Sequence, residues 1–276
     1  MNVDRQAVLN KLGGEDHAAR ASSEAKADAL EEHLQEQLNH VAGLEDADIV
    51  HSRRYPTAAE MEAQIETREF RGGIGTLFHN NGRKVQRLPR MPERPTLADF
   101  FKLRFQNTGN HVLQSANRAV QSGMTEEVVL ACLLHDVAQE LIRVDHGWWA
   151  AQIFEPYVPE KTAFAIRYHQ ALRFYPDPAV GYEYPELYLK VFGEDYKPEP
   201  YIEATYKMVR NHKWYDLPRM VTVNDLYAFE PGVVVEFEQF TDLLGRHFRQ
   251  PKEGLGFDNT PVAHIWRSIA MPDHPL

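Results

Sequence analysis

The chain has 276 residues, of which 43% are hydrophobic and 25% are charged, so it is long enough for one large domain or two small ones and can bury an apolar core. Asp and Glu number 40 against 30 Lys and Arg. The resulting net charge of −10 argues against a nucleic-acid backbone or an anionic membrane as the main partner. The longest purely apolar run, 128–134, is far shorter than the about 20 residues of a membrane-spanning helix, and the N-terminus has no long apolar segment of the kind found in signal peptides.

The chain contains one cysteine and 13 histidines. Cys132 lies inside the apolar run and has no partner for an internal disulfide, so we expect it to pack in the core of a protein from the reducing cytoplasm. The number of histidines raises the question of whether some of them form a site. No pattern in the sequence indicates an oligomeric state.

The N-terminal third of the chain differs in pattern from the rest. Residues 14 to about 43 have Leu and Val at spacings of three and four in a polar background, which predicts a helix with a narrow apolar stripe at the surface or at an interface. A capping-box pattern predicts a short helix over 57–69. The Gly, Pro and Arg content of 71–95 is typical of an irregular connector or lid. We therefore expect 1–95 to be a helical extension with a connector, and 96–276 to be the main domain.

Helical patterns are dense after residue 95, and Thr96 is a suitable N-cap for the first of them. The only candidate strand is 220–223, so the fold class we predict is all-α. The predicted helices are 97–106, 111–122, 125–134, 145–154, 160–174, 186–192, 200–212 and 233–248.

The motif that points to chemistry is the pair His135-Asp136 at the end of the apolar helix. Adjacent helical residues project about 100° apart, so the two side chains can converge only on a group between their directions. A metal ion is suitable, because imidazole and carboxylate are good ligands for Fe, Mn, Zn and Co. An isolated His-Asp pair is more often structural. Here, however, further potential ligands follow one another on successive predicted helices: His111, His146, His169 and Asp242.

This ordered series resembles the HD-domain superfamily of metal-dependent proteins, and within it the branch with four histidines and two aspartates. The similarity is greatest to the diiron oxygenases that act on myo-inositol and on 2-amino-1-hydroxyethylphosphonate. It rests on the segments NHVLQSANRAVQSGMTEEVVLACLLHD, RYHQALRFY and FEQFTDLLGR. The resemblance extends over about 96–248 and implies an HD-domain helical bundle; it does not include the first 95 residues.

The resemblance also implies a role for each ligand and two Fe ions, as an Fe(II)/Fe(III) pair, as the cofactor. Asp136 would bridge both ions, His111, His135 and Asp242 would complete the first shell, and His146 and His169 would hold the second ion. Asp225 and Asp216 remain alternatives for the last ligand. Four neutral imidazoles and two carboxylates leave two multivalent cations with excess positive charge, which favours an anionic or chelating substrate, and so many nitrogen ligands disfavour Mg and Ca.

Five further residues are candidates for substrate binding: Arg173, Arg246, Gln139, Gln170 and Arg104. Arg173 and Arg246 each follow an expected ligand by four residues, which places them on the same helix face, and guanidinium groups suit carboxylates and phosphonates. The two glutamines are expected to donate hydrogen bonds.

The chain departs from the family at two places. Gln139 stands where many HD hydrolases, and the inositol oxygenase, have a lysine, which weakens the case for phosphate-ester hydrolysis. Phe101 and Arg104 stand where the phosphonate enzyme has Tyr and Glu. We therefore expect a different substrate, with a negative group facing Arg104.

Three functions are compatible with these observations. The favoured one is a diiron oxygenase that uses O2 to oxidise a small polar, anionic substrate, with or without cleavage of a C–C or C–P bond. The second is a phosphohydrolase that uses Mn, Zn or Co on a nucleotide or phosphoester. The third is a non-catalytic binding or regulatory module. None of the three requires a nucleic acid or a membrane.

Overall fold

A computed structural model describes residues 4–41 and 89–271 of the chain. Within these residues there are thirteen α-helices and no β-strand, so the predicted all-α class is confirmed. The predicted helix 57–69 and most of the predicted connector 71–95 lie outside the described residues. The helices are α1 (Arg5–Lys11), α2 (Glu15–Arg20), α3 (Ser23–Val41), α4 (Leu97–Leu103), α5 (Gln106–Gln121), α6 (Glu126–Leu134), α7 (His146–Phe154), α8 (Glu160–Leu172), α9 (Glu186–Phe192), α10 (Pro200–Arg210), α11 (Asp216–Leu226), α12 (Thr241–His247) and α13 (Ala263–Ala270).

The main core forms around α6, because this helix is apolar on all sides. Every residue from Val128 to Leu134 is buried, and α5, α8, α11 and α12 pack around it. A helix that is apolar all round is stable only when it is enclosed by other elements. At one end of this core, Trp266 of α13 is fully buried against the rings of Phe100, Phe105 and Phe154. Burial of each such side chain contributes about 1.5–3 kcal/mol relative to exposure.

A second, smaller core lies between α3, the segment after α8, and α9. Leu30, Leu34 and Leu38 of α3 are buried in one cluster with Phe174 and Tyr188. This stripe was predicted to lie at the surface or at an interface. It packs against other residues of the same chain, Phe174 and Tyr188 among them. Polar residues of α3 beside the stripe are buried as well.

Most predicted helices are present with ends shifted by a few residues, and the N-cap prediction is confirmed. Thr96 forms a capping box with Asp99 at the start of α4. The predicted N-terminal helix is divided into α2 and α3. The predicted break before His111 is wrong, because α5 begins at Gln106: the carboxylate of Glu140 accepts a hydrogen bond of 2.8 Å from the backbone N–H of Thr108 and so stabilises the first turn.

Two further predictions near the C-terminus are corrected. The candidate strand 220–223 lies inside α11, since burial of Val221 against the bundle outweighs the β-propensity of the segment. The predicted helix 233–248 is only the 3₁₀ turn Phe237–Phe240 followed by α12.

None of the helices in the described ranges is both long enough and apolar enough to cross a membrane.

Candidate metal centre

Four helices and one helix end bring six potential ligands together in the middle of the bundle. His111 lies in α5, His135 caps the C-terminus of α6, and Asp136 follows it directly. Burial of α6 carries both of the latter residues into the interior. The set is His111, His135, Asp136, His146, His169 and Asp225, and no member is more than 5% exposed.

The first ligand group consists of two histidines and two aspartates. The Nε2 atom of His111 lies 2.9 Å from Oδ1 of Asp225 and 3.4 Å from Oδ2 of Asp136. The Nε2 atom of His135 lies 3.4 Å from Oδ1 of Asp136 and 3.5 Å from Oδ1 of Asp225. Each residue offers one ligand atom, and the four atoms all lie within 4.8 Å of one another, close enough for one ion to contact all four.

The second group is formed by Asp136, His146 and His169. The Nε2 atoms of the two histidines lie 2.9 Å and 3.5 Å from Oδ1 of Asp136. Asp136 therefore belongs to both groups, which is the position that the resemblance assigned to a bridging ligand. With three candidate ligands among the described residues, an ion in the second group would keep coordination positions for other molecules.

The orientation of the four imidazoles is compatible with a role as metal ligands. Each Nδ1 atom is within hydrogen-bond distance of a backbone carbonyl, at 3.2 Å for His111, 2.8 Å for His135, 2.9 Å for His146 and 2.7 Å for His169. In a neutral imidazole, an Nδ1–H that donates to a carbonyl fixes the tautomer and leaves the lone pair on Nε2, so Nε2 is the nitrogen that can bind a metal. All four Nε2 atoms are buried and make no hydrogen bond. Such atoms are rare in folded proteins unless a ligand satisfies them, so these residues fit a metal centre.

The two carboxylates dominate the electrostatics of this cluster. Burial by itself lowers the pKa of His111, but Asp136 and Asp225 outweigh it and raise this pKa to about 10. Burial also opposes the charged form of His146, yet Asp136 raises its pKa to about 10. At His169 burial prevails and lowers the pKa to about 4. Burial disfavours the ionised form of Asp136, but the surrounding imidazoles hold its pKa well below the usual range. The cluster therefore attracts cations.

The expected ligand Asp242 does not belong to the cluster, and this prediction is corrected. Asp242 is exposed in the first turn of α12, a helix that contributes Leu243 to the core. Its place is taken by Asp225, which is buried in the last turn of α11. Asp216, the other alternative, is exposed at the start of α11. The helix that packs most extensively on α8 supplies the ligand, rather than the segment with the stronger sequence similarity.

Two of the expected substrate-binding arginines also lie elsewhere. Arg246 is exposed on α12 and forms an ion pair with Glu126, in which its Nη2 donates across 2.5 Å. Arg104 is buried, but its guanidinium donates to the backbone carbonyls of Ile269 and Ala270, at 2.9 and 2.7 Å. It holds the C-terminal helix against α4, so its role in these contacts is structural.

The two glutamines lie directly against the ligands. Gln139 donates a hydrogen bond of 2.8 Å from Nε2 to Oδ2 of Asp136. Gln170 accepts a 2.7 Å hydrogen bond from the backbone N–H of Gly147, and its Nε2 lies 3.1 Å from Nδ1 of His146. Gln139 therefore orients Asp136 directly, as the partners of metal-binding residues commonly do, whereas Gln170 holds the backbone next to His146 through Gly147.

Arg173 is buried beside the cluster and is paired with two carboxylates that sequence analysis did not identify. Its Nη2 lies 2.9 Å from Oδ1 of Asp28, and its Nη1 forms an ion pair with Glu31. Asp28, Glu31 and His146 form a third group with ligand atoms within 4.8 Å of one another. Gln35 completes a polar stripe on α3 next to the leucines. The spacing of three and four between these polar residues is the signal that could have identified them.

The N-terminal extension is therefore part of the site. Burial raises the pKa of Glu31 to about 7, although Arg173 acts in the opposite direction. Gln139 links the two parts, since its Nε2 also lies 3.3 Å from Oε2 of Glu31. A helix that was expected at the surface or at an interface supplies the polar cover of the candidate metal ligands.

Comparison of the chain with models of known protein families and with curated proteins gave no match.

Proposed function

We propose that this protein is an HD-domain oxidoreductase, an O2-dependent oxygenase with two iron ions, that oxidises a small polar substrate in the interior of the bundle. The observation that carries this proposal is the convergence of four buried imidazole Nε2 atoms, none of them hydrogen-bonded, on the carboxylates of Asp136 and Asp225. His111, His135, Asp136 and Asp225 would hold one ion, and Asp136, His146 and His169 the other.

The donor set supports iron over the alkaline-earth ions. Four nitrogen ligands and two carboxylates suit Fe, Mn, Zn or Co, whereas Mg and Ca prefer oxygen ligands. An Fe(II)/Fe(III) pair supplies the redox capacity for a reaction with O2, which no side chain can provide.

The surroundings of the ligands support oxidation over hydrolysis. The amide of Gln139, where related hydrolases have a lysine, is directed to Asp136 and brings no positive charge. Burial of all six ligands excludes bulk water, as suits oxidative chemistry.

The residues of the chain have three tasks in such a reaction. The backbone carbonyls hold the imidazoles in a single tautomer, and Gln139 fixes the orientation of Asp136. Gln170 accepts from the backbone N–H of Gly147 and so holds the chain next to His146. Helix α3 covers the centre and keeps water out. Arg173, whose charge is fixed at all physiological pH values, is the cation that can recognise an anionic group of the substrate.

The test is metal analysis of aerobically purified protein, followed by electron paramagnetic resonance after partial reduction. Two iron equivalents and a mixed-valence signal are the expected result. Mn, Zn or Co together with phosphate release from phosphoesters under anaerobic conditions would select the hydrolase instead. Substoichiometric metal in a well-folded protein would indicate a non-catalytic module.

A further inference from the structure

A small cavity adjoins the metal ligands on the side of the N-terminal helix. It is lined by Glu31 and Leu34 of α3, by Arg173 at the end of α8, and by Asp225 and Phe229. Its interior has room for about one water molecule. Sites for organic ligands are commonly about 300–1,000 Å³, so this cavity admits a substrate only when one of its walls moves.

The α3 wall can move without disrupting the main core. Its leucines belong to the smaller cluster, with Phe174, Tyr188 and Phe229, and not to the cluster around α6. Opening local units of this kind costs less free energy than global unfolding. Displacement of α3 would expose the cavity and leave α5, α6 and α7 in place.

Polar contacts with Arg173 hold this wall closed. The guanidinium joins α8 to Asp28 and Glu31 of α3, and all three side chains are at least nine-tenths buried. One oxygen of Asp28, Oδ2, is buried and makes no hydrogen bond. A buried ion pair of this kind contributes little net stability, because desolvation offsets the attraction, but it sets which groups can approach the guanidinium.

We propose that the cavity is the closed form of the substrate chamber, that α3 is its movable wall, and that a small ligand with an oxyanion group opens it by replacing Asp28 and Glu31 on Arg173. This inference rests on the proposed function for the location of the chemistry. The carboxylates of Asp28 and Glu31 bind the guanidinium of Arg173 as the anionic group of a ligand would. When the wall opens they become hydrated, and the guanidinium and the nearby cations are then left to attract an anion.

The experiment is hydrogen–deuterium exchange of the metal-loaded protein with inorganic phosphate, with acetate in parallel to separate the two classes of oxyanion, and with chloride at equal ionic strength as the control. If the anion binds only the open form, exchange of the α3 amides accelerates by a factor of 1 + [L]/Kd, about tenfold when the anion is at ten times its Kd. Exchange of α6 should stay unchanged. No acceleration in α3 with either anion would overturn the proposal.

Variants test the ion pairs themselves. In Arg173→Gln, exchange of α3 should be fast without any anion and insensitive to phosphate. Because this variant leaves two buried carboxylates unpaired, the triple variant Asp28→Asn, Glu31→Gln, Arg173→Gln, which has no buried unpaired charge, should show the same insensitivity. Lys190→Ala, which removes an exposed ion pair on α9, is the matched control and should respond as the wild type does. A triple variant that still responds to phosphate would show that Arg173 is not the anion site.

The outcome is separable from that of the proposed function. Metal content is measured on the same samples, and the Arg173 variants should keep both metal equivalents, since Arg173 is not a ligand. A changed exchange of α3 in the Arg173 variants, with intact metal content, tests the movable wall alone. Absence of metal in the wild type contradicts the proposed function instead.

Discussion

Oδ1 of Asp225 lies 2.9 Å from Nε2 of His111, and this contact joins the last ligand helix, α11, to the first, α5. It makes Asp225 the second carboxylate of the candidate metal cluster. The sequence had led us to expect this carboxylate at Asp242, which is exposed. The two alternative assignments of this ligand, Asp225 and Asp242, therefore predict opposite effects of mutation on metal binding.

We expect Asp225→Ala to lose one of the two metal equivalents or both, because it removes the second carboxylate from the first group. Asp242→Ala should keep both equivalents. Metal analysis after dialysis, together with circular dichroism to verify folding, checks the pair. Retention of both ions in Asp225→Ala would contradict the assignment of Asp225 as a ligand. Loss of metal from Asp242→Ala would support Asp242, the ligand expected from the sequence.

Gly147 offers a test of the second group alone. A Cβ atom at this position would lie 2.8 Å from Cε1 of His169 and 2.9 Å from the carbonyl oxygen of Ile166. Both distances are below van der Waals contact, so Gly147→Ala must force α7 and α8 apart and displace His146 and His169. We expect about one metal equivalent to be lost while the first group remains loaded.

The matched control is Gly245→Ala on α12, where a Cβ atom would meet nothing within 4 Å. Alanine favours a helix over glycine by about 1 kcal/mol, so this variant should be as stable as the wild type or slightly more so. Equal metal content in the two variants would show that close packing of α7 on α8 is unnecessary for the second group.

Replacement of Arg173 should destabilise the fold in a pH-dependent manner. Arg173→Ala leaves Asp28 and Glu31 buried without their cation, a change that commonly costs about 3–5 kcal/mol. Burial already raises the pKa of Glu31 to about 7 against the opposing effect of Arg173, so loss of the arginine raises this pKa further. A raised carboxyl pKa disfavours folding once the unfolded chain ionises. The loss of stability should therefore be smaller at pH 5 than at pH 8.

Denaturant unfolding of the metal-loaded proteins at the two pH values measures this effect. Arg246→Ala serves as the comparison, because its ion pair with Glu126 is exposed and solvent screens it. We expect little change in the free energy of unfolding for that variant and no loss of metal. A pH-independent effect of Arg173→Ala would show that the α3 carboxylates are not ionised in the folded protein.

The single thiol should be inert in the native protein. Cys132 is fully buried in α6, and burial raises its pKa to about 12. Because the thiolate is the reactive form, a thiol reagent at pH 8 should modify the native protein very slowly and the guanidinium-unfolded protein at once. Rapid native-state modification would show that α6 opens frequently, contrary to its place in the core.

The sequence by itself was sufficient for the all-α class, for most helices after residue 95 and for five of the six clustered candidate ligands. The class and the helices follow from local rules, whereas His111, His146 and His169 were expected from their order along the chain and from the family resemblance. Apolar periodicity determines where helices form, and a fully apolar α6 must be enclosed, so His135 and Asp136 at its end are carried into the interior.

Only the tertiary structure decided which aspartate completes the set and what covers it. Asp225 and Asp242 both lie on helices, and the choice depends on which helix packs against α8, a long-range property that no local pattern encodes. The same reason applies to α3. Its leucine stripe predicted that α3 packs against another element, but not which one. Only the packed bundle places Asp28 and Glu31 on Arg173. Contacts between such distant segments are selected by shape and burial in three dimensions.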